Sequence, residues 1–384
     1  MKTIRAACHG LVAVMALVWA GPAGAADAPV RVGLLKLATS APLFVAQERG
    51  YFKDEGLNVE FKWFQAAQPI AVAVAAREVE VGATGLTAGL YNLFGGGVKM
   101  YIVADKGREA PGFPLNGFIV RKVLYEGGVR SLRDLKGKKV GITQVGSTFH
   151  YQVGKLLEAE GMSLQDVEVT PLRTMTGILE ALQGGGIDAA MLPQPFPGTA
   201  ETKGIGKVLF WAGDKMVHQI ATIFYSEAFR EDKDRALRIM KAYVRASRAY
   251  YDAALRMQGG KPVRGKPYEE MLSLVAKYTE QPREAVALGL PYQDRDGKLL
   301  AEDIPVQIKW FAEQKMIDKP VDAKEIIDLT FQAEATRALG RGSRPRVPGS
   351  ALRVARCGLV LAIWHGPCHR VTASVNPEFE TQNP

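Results

Sequence analysis

Val140-Gly141-Ile142-Thr143-Gln144-Val145-Gly146-Ser147-Thr148, running on into Phe149 to Glu160, is the stretch on which the fold turns. A short apolar strand, Val140 to Thr143, ends in a glycine turn. A helix then opens on Ser147 or Thr148, residue types whose side-chain oxygen satisfies the unpaired amides of a first helical turn, and Gly161 closes it. This is one strand-to-helix step of a parallel sheet. Downstream the step repeats: strand Val167 to Leu172, helix Gly177 to Gln183, strand Ile187 to Leu192, with Gly117 to Arg121 extended ahead of them.

Upstream of the breaker-rich Pro111 to Pro114 the same grammar appears once more. Val30 to Leu35 reads as a buried strand and Pro42 to Glu48 as a helix closed by Gly50. Val59, Phe61 and Trp63 alternate with charged residues at a strand's period of two. A helix from Pro69 to Arg77, a strand from Val79 to Ala83, a helix from Thr87 to Phe94 and a strand from Met100 to Ala104 follow. The fold class is therefore α/β with two lobes, each a mostly parallel sheet flanked by helices. The divisions predicted are 26–114 for the first lobe, 115–214 for the second, and 215–339 for a largely helical return that covers the first. That return begins near Val217 and holds the amphipathic stretches Arg235 to Ala254 and Tyr268 to Tyr278.

The 384 residues, 47% hydrophobic and 23% charged, are globular in composition and exceed what one core fills. The net charge of +9 is concentrated at the ends. Lys2 and Arg5 near the start, and six Arg against two Glu in 340–384, leave only +3 for the rest. Phosphate backbones find no basic stripe there, which excludes nucleic acid as a partner. Residues 1–25 read as an export signal: Lys2 and Arg5, an apolar run from Leu11 to Ala20, then Ala23-Gly24-Ala25. The run is too short to span a membrane, which takes about 20 residues. Cys8 precedes it, so no lipidated first residue arises, and export to the periplasm is expected. Cys357 and Cys368, the cysteines left after cleavage, lie in a tail, 340–384, that reads as disordered or weakly attached; a bridge between them stays open.

Open α/β sheets bind ligands beyond the carboxyl ends of their strands, and that rule selects the candidate site. Gln144, Gly146, Ser147 and Thr148 would offer amides and hydroxyls at a helix start, or Ser147 and Thr148 would simply cap it. The segment nearly spells a phosphate-binding loop, but Ser147 stands where the lysine should be, so nucleotide hydrolysis is rejected. Thr39, Ser40, Ala41 and Pro42 hold the matching place at the first helix, and Gly85, Leu86 and Thr87 follow the third strand. Gln65 and Gln194 would hydrogen-bond a polar ligand from opposite lobes, or are solvated loop residues. No metal-binding or nucleophile motif occurs, and His150 reads as structural or solvated. Arg173 reads as surface, so no cationic pocket residue emerges.

Four ordered motifs carry a resemblance: Ala41 to Phe52 (Ala-Pro-Leu-Phe-Val-Ala-Gln-Glu-Arg-Gly-Tyr-Phe), Val81 to Gly85, Ser131 to Gly141, and Gly146 to Thr148. Over residues 30 to 338 the chain resembles the periplasmic substrate-binding proteins of ABC importers, in their nitrate, sulfonate, taurine and thiamine-precursor branch. The resemblance implies a two-lobed clamp hinged on two crossover strands, closing on a small solute and passing it to a membrane permease. It implies a monomeric carrier without cofactor, contacting its solute through Ser40 to Pro42, Gly85 to Thr87, Gly146 to Thr148 and Gln194. Sulfonate-binding relatives often carry an aromatic and an acidic residue where this chain has Leu192-Pro193-Gln194-Pro195, so the solute class stays at a small anion or related polar molecule. The cysteine-rich motif of the thiamine-precursor synthases is absent. An exported enzyme on the same clamp, or a sensor presenting the closed clamp to a signalling protein, are the alternatives.

Overall fold

Twelve strands carry the architecture, and the computed structural model describes residues 28–259 and 261–340. The leader read at 1–25 and the tail beyond residue 340, with Cys357 and Cys368, lie outside those residues. The chain lays down β1 (Val30–Leu35), β2 (Val59–Phe64), β3 (Val81–Gly85) and β4 (Met100–Asp105). It crosses through the short β5 (Arg108–Glu109) into β6 (Asn116–Arg121), β7 (Lys139–Ile142), β8 (Glu168–Pro171), β9 (Ala189–Pro193) and β10 (Gly206–Trp211). It returns through β11 (His218–Gln219) to β12 (Ala221–Ser226).

The two sheets have one plan. The first is ordered β2-β1-β3-β12-β4 and the second β8-β7-β9-β6-β10. β1 to β4 run alike with β12 opposed, and β7 to β10 run alike with β6 opposed. The opposed strand is in each case the one by which the chain enters from a crossing. A chain arriving from the other lobe reaches the sheet at the carboxyl ends of its strands, so it must run back against them. The crossings themselves pair as an antiparallel ribbon, Glu109 opposite His218 and Arg108 opposite Gln219. This is the expected two-stranded hinge of the clamp.

Most elements fall where the patterns place them, and β12 does not. It lies inside the region read as helical after Val217, because all six of its residues are buried and neither alternation nor a helical stripe marks it. One trace of it does exist in β3. A side chain on Gly82 would meet the ring of Phe224 at 2.2 Å, so the glycine makes room for the neighbouring strand's aromatic.

Beyond β12 the chain is mainly helical. The helix Lys233–Ala254 buries Ile239, Met240, Tyr243, Val244 and Tyr250, an i, i+3, i+4 stripe, against Val30, Val32 and Leu34 of β1. The helix Asp303–Glu313 reaches the second lobe as well: Trp310 Nε1 donates to Glu158 Oε1 at 2.7 Å, and the indole sits where a side chain on Gly154 would stand. The second lobe has its own core, built from Phe118, Ile119, Val140, Ile142, Leu156, Ile178 and Met191.

Candidate functional site

The carboxyl ends of β1, β3, β4, β7 and β9 converge on one cavity of about 480 Å³. One wall is apolar, made by Leu35, Leu37, Leu115, Phe149, Met175 and Ile220. Polar groups enter from both lobes: Thr39, Thr84 and Lys106 from the first, Asn116, Thr143, Ser147 and Thr148 from the second. An apolar wall with a few converging polar groups is the usual make-up of a small-molecule site.

Four residues chosen from sequence line this cavity: Thr39, Gly85, Ser147 and Thr148. The others do not line it, and most of them are used by the protein itself. Ser40 Oγ donates to the Leu35 carbonyl at 3.0 Å, and Ala41 and Pro42 are buried in the helix it precedes. Thr87 Oγ1 caps its helix by accepting from the Leu90 amide at 3.0 Å. Ser147 caps the helix Thr148–Ala159 through the His150 amide at 3.2 Å. Ser147 thus both caps its helix and lines the cavity. That cap serves the third amide of the helix, which leaves the first two, on Thr148 and Phe149, to the cavity. The Gly146 amide is taken by His150 Nδ1 at 3.1 Å, and burial pushes that imidazole down to about 4, so it accepts as a neutral ring. His150 is structural. Gln65 is exposed, and Gln194 is buried with neither side-chain atom bonded inside the protein, its backbone joining Leu115 and Ala38.

Several of these groups fasten the lobes together. Thr148 Oγ1 donates to the Leu86 carbonyl at 2.7 Å, and the Ala88 amide donates to the Gly146 carbonyl at 2.8 Å. Gln144 Nε2 donates to Gln68 Oε1, and the Ala38 amide reaches the Gln194 carbonyl at 3.2 Å. Gly85 and Gly146 are small because the other lobe stands against them: a side chain on Gly85 would meet Thr148 Oγ1 at 2.6 Å and one on Gly146 would meet Ala88 Cβ at 2.8 Å. The clamp is closed.

Sequence reasoning missed the residue that gives the cavity its charge. Lys106, directly after β4, is 1% exposed, and its Nζ donates to Thr39 Oγ1 at 3.1 Å without a carboxylate partner among the described residues. Burial pulls its amine down to about 7, with Asp105 holding it partly up. Asp105 acts on it only through its charge and forms no direct ion pair with it, its oxygens accepting from the Gly107 amide at 2.7 Å, Gln219 Nε2 at 2.6 Å and the Asp294 amide at 2.7 Å. Its place in the sequence, just beyond the apolar run Met100 to Ala104, puts it at a strand's carboxyl end, where ligands bind, but does not mark it as buried. Arg173, the cation weighed from sequence, is exposed.

The hinge beside the cavity is also buried and ionisable. Glu109 is fully buried and burial pushes it up to about 8, while burial pushes His218, opposite it, down to about 3. Because Glu109 is raised above its ordinary 4.5, the folded protein keeps a proton between about pH 4.5 and 8 that the unfolded chain releases. Its contribution to stability is complete below that window and is lost as pH rises through it. Glu109→Gln is therefore expected to gain stability on the native protein steadily from pH 5 to pH 8, read by urea denaturation at each pH. Parallel curves for the two proteins would show that Glu109 does not titrate this way.

Among the described residues no group of three or more His, Cys, Asp and Glu is placed to hold a metal ion, and no helix is long and apolar enough to cross a membrane. A family model described as NMT1-like matches residues 23–259. A putative aliphatic sulfonates-binding protein of Bacillus subtilis (strain 168) is 25% identical over 322 residues, covering 80% of this chain and 87% of that protein. A 4-amino-5-hydroxymethyl-2-methylpyrimidine phosphate synthase of Aspergillus parasiticus is 28% identical over 157 residues, 39% of this chain and 41% of that enzyme. Among solved structures the periplasmic nitrate-binding protein NrtA of Synechocystis PCC 6803 matches with a TM-score of 0.66 at 14% identity, over 81% of this chain and 89% of its own. That likeness is one of fold.

Proposed function

Because the chain belongs to the NMT1-like family, we propose that it is a periplasmic receptor that closes on a small anion and delivers it, as a monomer, to the permease of an ABC importer. The observation that carries this reading is Lys106, a buried amine in the cavity with one hydrogen bond and no ion pair among the described residues. A buried ammonium is costly unless paired, so the cavity is completed by a ligand that brings a negative charge. The first amides of the helix Thr148–Ala159 add a second electropositive group facing the same space. The aliphatic sulfonates and nitrate in the names of its relatives are anions of this kind.

An exported enzyme would need an acid, base or nucleophile at the cavity. Among the cavity's lining residues Lys106 is the one titratable group, with no second acid, base or nucleophilic thiol beside it, and the Ser147 hydroxyl is engaged as a cap. His150 is turned to Gly146 and does not line the space. The site is therefore read as one that holds and releases.

Proton linkage tests the reading. With Lys106 lowered to about 7 in the empty cavity, anion binding above that pH requires taking up a proton. Calorimetric titration of the full exported chain with ethanesulfonate, acetate and nitrate from pH 6 to pH 9 is expected to find one site. Its Kd should be flat below about pH 7 and rise by up to about tenfold per unit above it. Affinity independent of pH across that range, or chemical conversion of the added solute, would refute it.

A further inference from the structure

Asn116, at the start of β6, lines the cavity and is fully buried, yet its Oδ1 has no partner in the protein. Its other side-chain atom is fixed. Asn116 Nδ2 donates to Gln152 Oε1 at 2.7 Å. Gln152 is itself fully buried, and its Nε2 stands 2.8 Å from Glu109 Oε1 and 3.1 Å from His218 Nε2. An amide nitrogen only donates, so with the Glu109 proton on its unbonded Oε2 and the His218 proton on Nδ1, Glu109 Oε1 and His218 Nε2 are both acceptors and use both amide hydrogens. Gln152 thus keeps its nitrogen toward the hinge and its oxygen toward Asn116, which in turn keeps the nitrogen of Asn116 away from the cavity. What the cavity receives from Asn116 is an acceptor oxygen. On the facing lobe Thr84, 1% exposed, likewise leaves its Oγ1 unbonded on the cavity.

An acceptor there repels the oxygens of a bare anion and is satisfied by an N–H or O–H. Resting on the reading of the site as an anion receptor anchored by Lys106, we propose that the solute also carries a hydrogen-bond donor, which Asn116 Oδ1 accepts. Gln152 acts as the positioning residue that holds Asn116 in that orientation. The solute class is then a small hydroxy- or amino-substituted carboxylate or sulfonate, or an N–H heterocycle bearing an acid group, and simple inorganic anions are poor ligands. The relay also ties the cavity to the hinge, since Glu109 and His218 are the paired residues of β5 and β11.

Matched pairs of probes test this on the full exported chain: 2-hydroxyethanesulfonate against ethanesulfonate, and glycolate against acetate, with nitrate as the bare anion. The member with a hydroxyl is expected to bind at least about tenfold more tightly in the native protein. Asn116→Leu should bring each pair to near equality. Gln152→Met, which does not line the cavity, should shrink the same ratio by freeing the Asn116 amide to turn. Equal, measurable affinities within both pairs for the native protein would overturn the proposal and leave the anion receptor standing, whether or not either variant folds. Absence of binding by every probe at millimolar concentration would overturn the receptor reading and this one with it.

Discussion

Lys106→Met is expected to weaken binding of any anionic solute by roughly two orders of magnitude or more, and to raise the melting temperature of the ligand-free protein. The two effects have one cause. Losing one member of a buried, hydrogen-bonded charge pair costs about 2–5 kcal/mol, about 30-fold to several thousand-fold in Kd. Without ligand the same charge is a liability, since burial drops the amine from 10.5 to about 7. The unfolded chain holds the proton across that interval and the folded one does not, so native stability rises with pH from about 7 to 10.5 and is lowest below it. The gain on replacing lysine by methionine should therefore be largest near pH 6 and fade toward pH 10, read by thermal melts across the range. Unchanged affinity would move the anion away from Lys106. A lower melting temperature would make the lysine a structural support.

Gly85→Val is expected to abolish ligand-induced closure while leaving both lobes folded. Gly85 ends β3 with a backbone that any residue can adopt, so the substitution carries no left-handed strain. Its new side chain would be driven into Thr148 Oγ1, which stands 2.6 Å from a Cβ at that position and belongs to the other lobe. The Thr148 bond to the Leu86 carbonyl lies at the same contact. The cores packed around Val32 and Ile142 do not include Gly85 and should stand. A loss of at least about tenfold in affinity is expected, together with a radius of gyration that stays at its open value when ligand is added, by small-angle X-ray scattering. Native affinity with normal compaction would mean that the lobes do not meet at this contact.

Local chemistry made much of this legible in the sequence. The glycine turn before Ser147, the helix start at Thr87 and the left-handed Gly50 that closes the first helix are short-range features, and each is where its residues place it. β12 escaped because burial on both faces removes the alternation that identifies a strand. Lys106 escaped for a different reason. That it is enclosed depends on Thr39, Thr84 and Ile220 arriving from three separate parts of the chain, and no local pattern reports that. The hydroxyls chosen from sequence were of the right type for a ligand, but Thr87 and Ser147 serve their own helices first. Asn116 gave no signal at all, since its role rests on Gln152 and Glu109 holding one amide orientation.

The most direct test of a clamp that closes on an anion held by Lys106 is to identify what the protein carries. Native mass spectrometry of the exported chain, purified without denaturation, would be followed by release and identification of any bound molecule. The account predicts one small anion per chain, recovered chemically unchanged after rebinding and missing from Lys106→Met. A neutral or cationic molecule in the cavity, or an anion retained undiminished by Lys106→Met, would contradict it.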